Sequence, residues 1–381
     1  MRRRVVILTE LIAPYRIPVF NALAQRSDVD LHVVFLSRTD LSMRQWRVYE
    51  DEIRFSYEVL PCWRKRVGKF NILLNRGLAA ALRRVSPEVI ICGGYNYVSS
   101  WQAQRWAKLH HVPFILWSES TGNDSRNKHA PMEFLKLRFV GNCDGFVVPG
   151  QSSREYLLSL GVNSADIFVA PNAVDTALFA STEAAVRGRH SDLRARLALP
   201  DRYFLFVGRL VEAKGVLDLL EAYERLRPET RERVGLVFVG HGPMRAQLEL
   251  RAKGIHPGSV HFPGFVHRDE LAAYYALAEC FVFPTHSDTW GLAVNEAMAC
   301  GLPVICSRVA GCAADLVRQN GCLVSVQNAG ELSTAMQRIA ADPALRNQMA
   351  AASRRAVFAY SPENCAAGLA TAATALEAHV A

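Results

Sequence analysis

Residues 280–298 read CFVFPTHSDTWGLAVNEAM, and this stretch decides the fold. The apolar run 280–283 predicts a buried strand, and the run after Gly291 predicts a helix. Such a strand–loop–helix junction leaves backbone N–H groups free at the helix start, where an anion binds well. The carboxylates of Asp288 and Glu296 flank the junction and are suited to accept hydrogen bonds from hydroxyl groups. The segment therefore indicates a site for a phosphorylated, hydroxyl-rich molecule.

Short apolar runs alternate with helical patterns along nearly the whole chain. The predicted strands are 5–9, 31–36, 88–92, 113–118, 145–148, 167–170, 204–207, 236–239, 260–262, 280–283, 304–307 and 322–324. The predicted helices include 71–85, 101–110, 153–160, 216–225, 243–252, 270–278 and 331–340. Strands that are apolar throughout and separated by helices are typical of parallel sheets covered on both faces. We therefore expect an α/β protein with two doubly wound domains and ligands beyond the carboxyl ends of the strands.

The length of 381 residues exceeds what one ordinary core supports, which favours two domains. The polar, strand-free stretch 181–200 is the predicted linker, with a first domain at 1–180 and a second at 201–361. Ser361-Pro362 opens an alanine-rich segment at 362–381. Because proline is favoured at a helix start, this segment is predicted to be a helix that packs back on the first domain.

The bulk composition is that of a globular protein, with half of the residues hydrophobic and a mean hydropathy of +0.05. No run reaches the roughly 18 apolar residues of a membrane span. The N-terminal apolar run is too short for a signal peptide and is interpreted as a first strand. The nine cysteines include no Cys-x-x-Cys pair, which is typical of reduced thiols. A cytoplasmic location is expected.

The excess positive charge lies in the first half of the chain. Residues 1–195 hold 26 basic and 18 acidic side chains, whereas the remainder holds 18 of each. A dense part of this charge, Arg64, Lys65 and Arg66, stands among aromatic residues at 62–70. Two interpretations stay open: a solvated loop, or an acceptor-side contact with an anionic membrane or acceptor. No nucleic-acid recognition module is visible, so nucleic acid is not an expected partner.

A first motif, FVGRLVEAKG at 206–215, follows a predicted strand. Gly208 would let the backbone approach a ligand, and Arg209 and Lys214 would place two cations beside it. A diphosphate leaving group needs such cations because negative charge builds on it as its bond breaks. Arginine grips phosphate bidentately, and lysine acts as a point charge. By itself the motif is better explained as two surface cations after a strand.

Two further motifs are weaker alone. The stretch LVFVGHGP at 236–243 places Gly240 after a strand, and VHFPGFV at 260–266 places Phe265 and Val266 where backbone would meet a nucleobase edge. In the opening segment, Asp288 alone is explained as a loop or capping residue and Glu296 as a first-turn acid. Neither explanation accounts for the stretch Asp-Thr-Trp-Gly-Leu that begins at Asp288.

Taken in order and spacing, these motifs resemble the retaining glycosyltransferases of family 4, also called group 1. The resemblance covers most of the chain, in the residues VAPNAVD at 169–175 with Phe179, Gly208-Arg209, Lys214-Gly215, 240–243, 263–265 and 284–304. It implies the GT-B fold, in which two Rossmann-like domains face each other across a cleft. Where the family has Glu-x7-Glu, this sequence has Asp288-x7-Glu296.

The resemblance also implies roles for the donor-binding residues. Arg209 and Lys214 would hold the diphosphate, and Glu296 would bind the nucleotide ribose. Asp288 would face the transferred sugar and the distal phosphate together with the backbone of Trp290, Gly291 and Leu292. Family members need no metal, so neither a metal nor another cofactor is expected. In the family the departing phosphate takes the proton of the acceptor hydroxyl on the same face, which retains the anomeric configuration.

Two departures from the family pattern concern the first half. Many relatives have a glycine-rich loop after the first strand, whereas residues 9–18 lack glycine. Tyr15 and Arg16 of this loop are expected to reach towards donor phosphate or acceptor. Many relatives also have a histidine where this sequence has Glu119. Glu119 is interpreted either as a catalytic carboxylate that orients a sugar hydroxyl or stabilises positive charge, or as a salt-bridged loop acid.

The predicted function is a metal-independent, retaining, hexosyl-type glycosyltransferase of bacterial polysaccharide or glycoconjugate biosynthesis. The donor is a nucleotide-diphosphate sugar, and the acceptor is a hydroxyl of a saccharide, a lipid-linked saccharide or a small molecule. The enzyme is expected in the cytoplasm, either free or peripheral on the inner face of the membrane. Two alternatives remain: a sugar-nucleotide epimerase of GT-B type and a non-catalytic sugar-nucleotide-binding subunit.

Overall fold

The computed structural model describes residues 2–40, 47–67, 70–123, 130–186 and 190–376. The chain divides into two compact units, Met1–Ala173 with Pro362–Ala381, and Val174–Ser361. The segment 181–200 is not the linker that the sequence predicted. It contributes to two helices of the second unit, Thr176–Val186 and His190–Leu197, because Leu193 and Leu197 pack against that unit's core.

The first unit is built on a parallel sheet and an antiparallel hairpin. Its strands are β1 (Arg3–Leu11), β2 (Val29–Ser37), β3 (Ser56–Val59), β4 (Cys62–Val67), β5 (Phe70–Asn75), β6 (Val89–Cys92), β7 (Phe114–Trp117), β8 (Gly145–Val148) and β9 (Ile167–Val169). The sheet order is β3-β2-β1-β6-β7-β8-β9, and β4 pairs with β5 apart from it. Its helices are α1 (Ile17–Ala24), α2 (Leu78–Val85), α3 (Val98–Leu109), α4 (Ala130–Val140) and α5 (Gln151–Ser159).

Both faces of this sheet are covered. Along β1, Val5 and Ile7 enter one core, whereas Val6 and Leu8 enter the other, because successive side chains point to opposite faces. The final helix, Pro362–Ala375, returns from the second unit and packs on the first face against α1. Gly368 permits this approach, since a Cβ there would lie 2.3 Å from the carbonyl oxygen of Val169.

The second unit repeats the pattern with a sheet in the order β12-β11-β10-β13-β14-β15, parallel throughout. Its strands are β10 (Tyr203–Val207), β11 (Gly235–Val239), β12 (Val260–Gly264), β13 (Cys280–Phe283), β14 (Val304–Ser307) and β15 (Gly321–Val324). Its helices are α6 (Thr176–Val186), α7 (His190–Leu197), α8 (Val216–Glu224), α9 (Pro228–Arg233), α10 (Arg245–Ala252), α11 (Arg268–Leu277), α12 (Leu292–Ala299), α13 (Ala313–Leu316), α14 (Ala329–Ala341) and α15 (Pro343–Val357).

The prediction of two doubly wound α/β units is confirmed. In each sheet the strand order reverses once, between β1 and β6 in the first unit and between β10 and β13 in the second. Ligands of such sheets bind beyond the carboxyl ends of the strands at this point of reversal. Ligands are therefore expected beside the residues that follow β1, β6, β10 and β13.

One sequence prediction about a helix needs correction. Residues 71–75, predicted as the start of a helix, belong to strand β5, because Asn71–Asn75 pair with the charged strand β4. Within the described residues, no helix is both long and apolar enough to span a membrane.

Candidate active site

Two loops meet at the reversal point of the second unit, one after β10 and one after β13. The backbone N–H of His286 donates to the carbonyl of Ala213 at 2.9 Å, and the buried hydroxyl of Thr285 lies 3.1 Å from the same oxygen. Gly215, with φ of +66°, allows the closest approach, because a Cβ there would stand 2.0 Å from the carbonyl oxygen of Pro284. The two loops are thereby fixed to each other.

This joint brings Lys214 and Asp288 together. The Nζ of Lys214 forms an ion pair with Oδ2 of Asp288, and the two side chains are 22% and 19% exposed. The other carboxylate oxygen accepts the backbone N–H of Trp290 at 3.2 Å. An ammonium has three N–H donors, so Lys214 keeps donors for a ligand while it is paired. The N–H of Trp290, in contrast, already has this acceptor, and the ligand-facing role of the Trp290 backbone stays a prediction.

Arg209 does not join this pair. Its side chain is exposed and forms no hydrogen bond or ion pair with the part of the chain that the structure describes. Its carbonyl accepts the N–H of Val211 at 2.9 Å, so the backbone around it is held while the guanidinium is not. Arg209 is available to a ligand but is not positioned by the protein alone.

The glycines of the neighbouring loops have a packing role. The N–H of Gly208 donates to Val239 at 3.0 Å, and the N–H of Gly240 donates to Gly264 at 2.8 Å. A Cβ on Gly240 would lie 1.9 Å from the carbonyl oxygen of Gly208. Close approach between these loops therefore requires glycine at 240, whether or not a ligand is bound. Beyond Gly264, Phe265 is exposed and Val266 is partly buried.

Helix α12 begins at this site. Gly291 precedes it in the left-handed region, with φ of +103°, and buried Trp290 donates its indole N–H to Asn295 at 2.9 Å. The backbone N–H groups of Gly291 and Leu292 donate to no group within the described ranges. These two N–H groups lie at the positive end of the helix dipole and suit an anion.

Glu296 lies one turn into α12 and is partly buried. The buried hydroxyl of Tyr275 donates to its Oε2 at 2.7 Å. Burial raises the pKa of Glu296 to about 7, and the hydrogen bond from Tyr275 offsets part of that effect. The carboxylate is therefore half ionised near neutral pH and keeps lone pairs for ligand hydroxyls.

In the first unit, Arg16 and Glu119 form an ion pair. Arg16 belongs to the turn Pro14–Arg16 after β1, and Glu119 follows β7. The guanidinium carbon lies 4.1 Å from the ring centre of Trp117 and 5.4 Å from that of Tyr15. Desolvation lowers the pKa of Arg16, but the charge of Glu119, the smaller effects of Tyr15 and Cys365, and the hydrogen bond to Glu119 together leave that pKa raised. The salt bridge expected for Glu119 is present, and its catalytic role stays a prediction.

The basic stretch after residue 61 is a hairpin and not a solvated loop. Arg64 forms an ion pair with Asp40 and lies 3.4 Å from Oε1 of Glu10, with only 17% of its side chain exposed. Lys65 is exposed, and the side chain of Arg66 lies outside the described part of the chain. Arg64 is thus a neutralised, inward-facing cation.

Sequence reasoning missed several side chains that shape these sites. Nε2 of His286 lies 2.6 Å from Oδ2 of Asp218, which ties the loop after β13 to α8. Tyr275 and Glu10 contact predicted site residues from distant parts of the sequence. No local motif marks Asp218 or Tyr275, because each resembles an ordinary residue of an amphipathic helix. Among the described residues, no cluster of three or more His, Cys, Asp or Glu is arranged to hold a metal ion.

The two sheets and the loops at their points of reversal define a GT-B glycosyltransferase fold. Residues 20–178 match the model "Glycosyltransferase Family 4", and residues 192–356 match "Glycosyl transferases group 1". The two matches together cover most of the chain. The protein belongs to glycosyltransferase family 4.

Known proteins support this assignment. The structure of HepE from Anabaena in complex with UDP and glucose has a TM-score of 0.76 at 16% identity, over 98% of this chain and 100% of that chain. O-antigen chain mannosyltransferase B of Escherichia coli is 30% identical over 43% of each chain. D-inositol 3-phosphate glycosyltransferase of Xylanimonas cellulosilytica is 31% identical over 60% of this chain and 56% of its own. The chain thus spans about half the length of the curated relatives it matches.

Proposed function

We propose that the protein is a retaining, metal-independent glycosyltransferase. It moves a sugar from a nucleoside-diphosphate donor to a hydroxyl of a saccharide, a lipid-linked saccharide or a small molecule. The observation that carries the proposal is the Lys214–Asp288 pair, fixed beside the open start of α12 at the reversal point of the second sheet. A sugar diphosphate requires a cation, an oriented carboxylate and free backbone N–H groups, and this site has all three.

Each group has a task in the proposed reaction. As the bond from the anomeric carbon to the diphosphate oxygen breaks, negative charge grows on that oxygen, and Lys214 stabilises it. Exposed Arg209 adds a second cation once a diphosphate is present to orient it. Asp288 holds Lys214 in place and accepts a hydroxyl of the sugar. Glu296 accepts the hydroxyls of the ribose.

Retention follows if the acceptor attacks the face that the diphosphate leaves. The acceptor oxygen then forms its bond to the anomeric carbon while its proton passes to the departing phosphate oxygen. The products are the glycosylated acceptor and the nucleoside diphosphate. Lys214 and Arg209 supply the positive charge that a divalent cation provides elsewhere, so activity is expected in the presence of a chelator. HepE, solved with UDP and glucose, supports a donor of this class.

The test begins with the donor, because a ligand that binds only the native state raises the melting temperature. UDP-, GDP-, ADP- and dTDP-sugars are screened in this way, and transfer is then measured with the best donor. Lys214→Ala and Glu296→Ala should each remove most transfer, whereas Arg225→Ala, in an exposed helix pair with Glu221, should not. Near wild-type turnover in both site variants would refute the assignment.

The same assay separates the alternatives. With donor alone, an epimerase converts it to an isomer, whereas a transferase hydrolyses it slowly at most. Tight donor binding without turnover on any acceptor would instead identify a binding subunit.

We further propose that the hairpin touches an anionic membrane surface. Trp63 lies opposite Leu74 and Lys65 opposite Ile72, so these four side chains share the outward face. Trp63, Leu74 and Ile72 are 54%, 43% and 39% exposed, an arrangement of apolar and cationic groups that suits a lipid interface. Flotation with phosphatidylglycerol vesicles should exceed that with phosphatidylcholine vesicles, and should fall in high salt and in Trp63→Ser. Equal flotation with both vesicles would contradict the contact.

A further inference from the structure

Trp290, in the loop after β13, is the one tryptophan in the sequence of the second unit. Its side chain is buried, and its indole N–H donates to Asn295 of α12 at 2.9 Å. Its backbone carbonyl accepts the N–H of Cys312, in the loop after β14, at 3.2 Å. Its ring lies 6.0 Å, centre to centre, from the ring of Tyr360, which follows α15. Three separate parts of the chain therefore hold Trp290.

The loop after β14 supports the backbone around Trp290. Asp288 and Ala310 form a parallel β-bridge, and the N–H of Gly311 donates to the carbonyl of Asp288 at 3.0 Å. A Cβ on Gly311 would lie 1.9 Å from the carbonyl oxygen of Thr289, so the two loops are in direct contact. These contacts fix the backbone of Asp288, whereas one oxygen of its carboxylate accepts the N–H of Trp290.

Tyr360 connects Trp290 to a further element. It ends the turn Phe358–Tyr360 and is partly buried against the core of the second unit. Its hydroxyl donates to the carbonyl of Asp315 in α13 at 3.3 Å. Burial raises the pKa of Tyr360 to about 12, so this hydroxyl keeps its proton at neutral pH. Because the hydroxyl is bound to α13, the ring of Tyr360 is fixed beside the indole of Trp290.

Two parts of the proposed donor site depend on where Trp290 lies. Its backbone N–H orients the carboxylate of Asp288, whose other oxygen pairs with Lys214. The next two residues, Gly291 and Leu292, carry the N–H groups at the start of α12. A large ring that turned to another rotamer would displace this short stretch of backbone. A displacement of about 1 Å costs up to about 100-fold in rate, so the site requires that the ring stay in place.

We infer that Tyr360 is a positioning residue of the donor site. By holding the ring of Trp290, it keeps Asp288 on Lys214 and keeps the open N–H groups of α12 aligned for the distal phosphate of the donor. These groups meet the distal phosphate and not the base or the ribose. Tyr360 therefore contributes to the binding of a nucleoside diphosphate and not to that of the monophosphate. The inference rests on the proposed function, since it adds a residue to the site of that reaction.

The experiment compares two nucleotides that differ by the distal phosphate. UDP and UMP, or the matching pair for another base that the donor screen selects, are titrated calorimetrically into the full chain. Wild type should bind the diphosphate at least about tenfold more tightly, since charge-assisted hydrogen bonds to phosphate are strong. Tyr360→Leu, which removes the ring, should reduce this preference to about threefold or less by weakening the diphosphate alone. Tyr360→Phe keeps the ring and should retain most of the preference.

The control is Phe358→Leu, an aromatic-to-leucine change in the same turn at a residue that is 70% exposed. It should leave both Kd values as in wild type. Melting without ligand reports whether each variant is folded. Tyr360→Met, which fills more of the volume without a ring, applies the same test if the leucine variant does not fold.

Two outcomes would overturn the inference. One is an unchanged preference for the diphosphate in Tyr360→Leu. The other is an equal loss of affinity for both nucleotides in that variant, which a general disturbance of the unit would produce. In either case the preference of wild type for the diphosphate keeps the proposed donor site standing. A wild type without that preference refutes the proposed function instead.

Discussion

Glu296 is the ionisable residue at the donor site on which the fold has the clearest effect. Its carboxylate is drawn out of water beside buried Tyr275, and its pKa rises to about 7 from an ordinary value of 4.5. The unfolded chain therefore releases this proton at lower pH than the folded chain does. The folded state is stabilised as long as Glu296 stays protonated. This stabilisation is fully present below about pH 4.5 and is lost as the pH rises through about 7.

The variant Glu296→Gln tests this linkage. Glutamine still accepts the hydrogen bond of Tyr275 but cannot ionise, so the variant should be more stable than wild type by about 1–3 kcal/mol at pH 8. At pH 4.5 the two should unfold at nearly the same urea concentration. Glu249→Gln, at an exposed position on α10, should show no such pH-dependent gain. An equal effect of Glu296→Gln at both pH values would contradict the raised pKa.

Sequence motifs predict which residues belong to a site better than they predict which side chains contact each other. Lys214, Asp288 and Glu296 are predicted from their loops, and the first two are in contact in the structure. The pairing of Arg64 with Asp40 is not predictable from the stretch around Arg64, because it depends on which face of a hairpin turns inward. The roles assigned to Arg209 and Glu119 stay predictions.

At the scale of elements, the turn that ends in Gly215 holds the loop after β10 against the loop after β13. A methyl group at 215 meets the carbonyl of Pro284, which cannot move without displacing the loop after β13. Gly215→Ala should therefore cost about 2–5 kcal/mol, from left-handed strain together with the clash. It should also weaken donor binding tenfold or more, because Lys214 shifts away from Asp288.

The variant Gly258→Ala separates the effect of left-handed strain from the effect of the clash. Gly258 has a similar φ of +75°, but a Cβ there meets nothing within 4 Å. Gly258→Ala should lower the free energy of unfolding only by the strain of the left-handed backbone, about 1–2 kcal/mol. The donor Kd should stay unchanged. Calorimetric unfolding and donor titration of both variants provide the measurement. Similar donor Kd values for the two variants would show that the contact between the loops after β10 and β13 does not position Lys214.

Elements buried on both faces are the ones that sequence patterns predict well. The strands Gly145–Val148, Cys280–Phe283 and Val304–Ser307 are found at their predicted bounds, because continuous apolar runs leave little choice of structure. Strand β3 and the hairpin were missed. Tyr57 and Val59 of β3 lie at the exposed edge of the sheet, and β4 carries three consecutive basic residues, so neither strand shows an apolar run.

At the scale of the molecule, the first unit is discontinuous in sequence. Its core includes Cys365, Leu369 and Ala373 of the final helix, which pack with residues of α1 and β1. Because Gly368 lies against Val169 and Ala170, even one methyl group should separate this helix from the strand. The stability of the first unit therefore depends on a helix that follows the whole second unit in the chain.

The variant Gly368→Ala tests that dependence, with Gly330→Ala as its control. A Cβ at 368 would lie 2.3 Å from the carbonyl of Val169, whereas one at 330 meets nothing closer than 3.5 Å. In an open helix the change from glycine to alanine stabilises by up to about 1 kcal/mol, so Gly330→Ala should be neutral or stabilising. Gly368→Ala should destabilise, with faster hydrogen exchange in β8, β9 and α1 and unchanged exchange in β10 and β13. Slower exchange in β9 of Gly368→Ala would contradict the close contact.

The return of the final helix also sets an order of events during synthesis. As the ribosome advances, the residues of β1 to β9 emerge first but lack the helix that covers one face of their sheet. The second unit, Val174–Ser361, contains all of its own strands and helices, and its cores include no residue after 361. The unit translated second should therefore be the first to reach its native state, and the nascent first unit is the stage at which this chain most needs protection from aggregation.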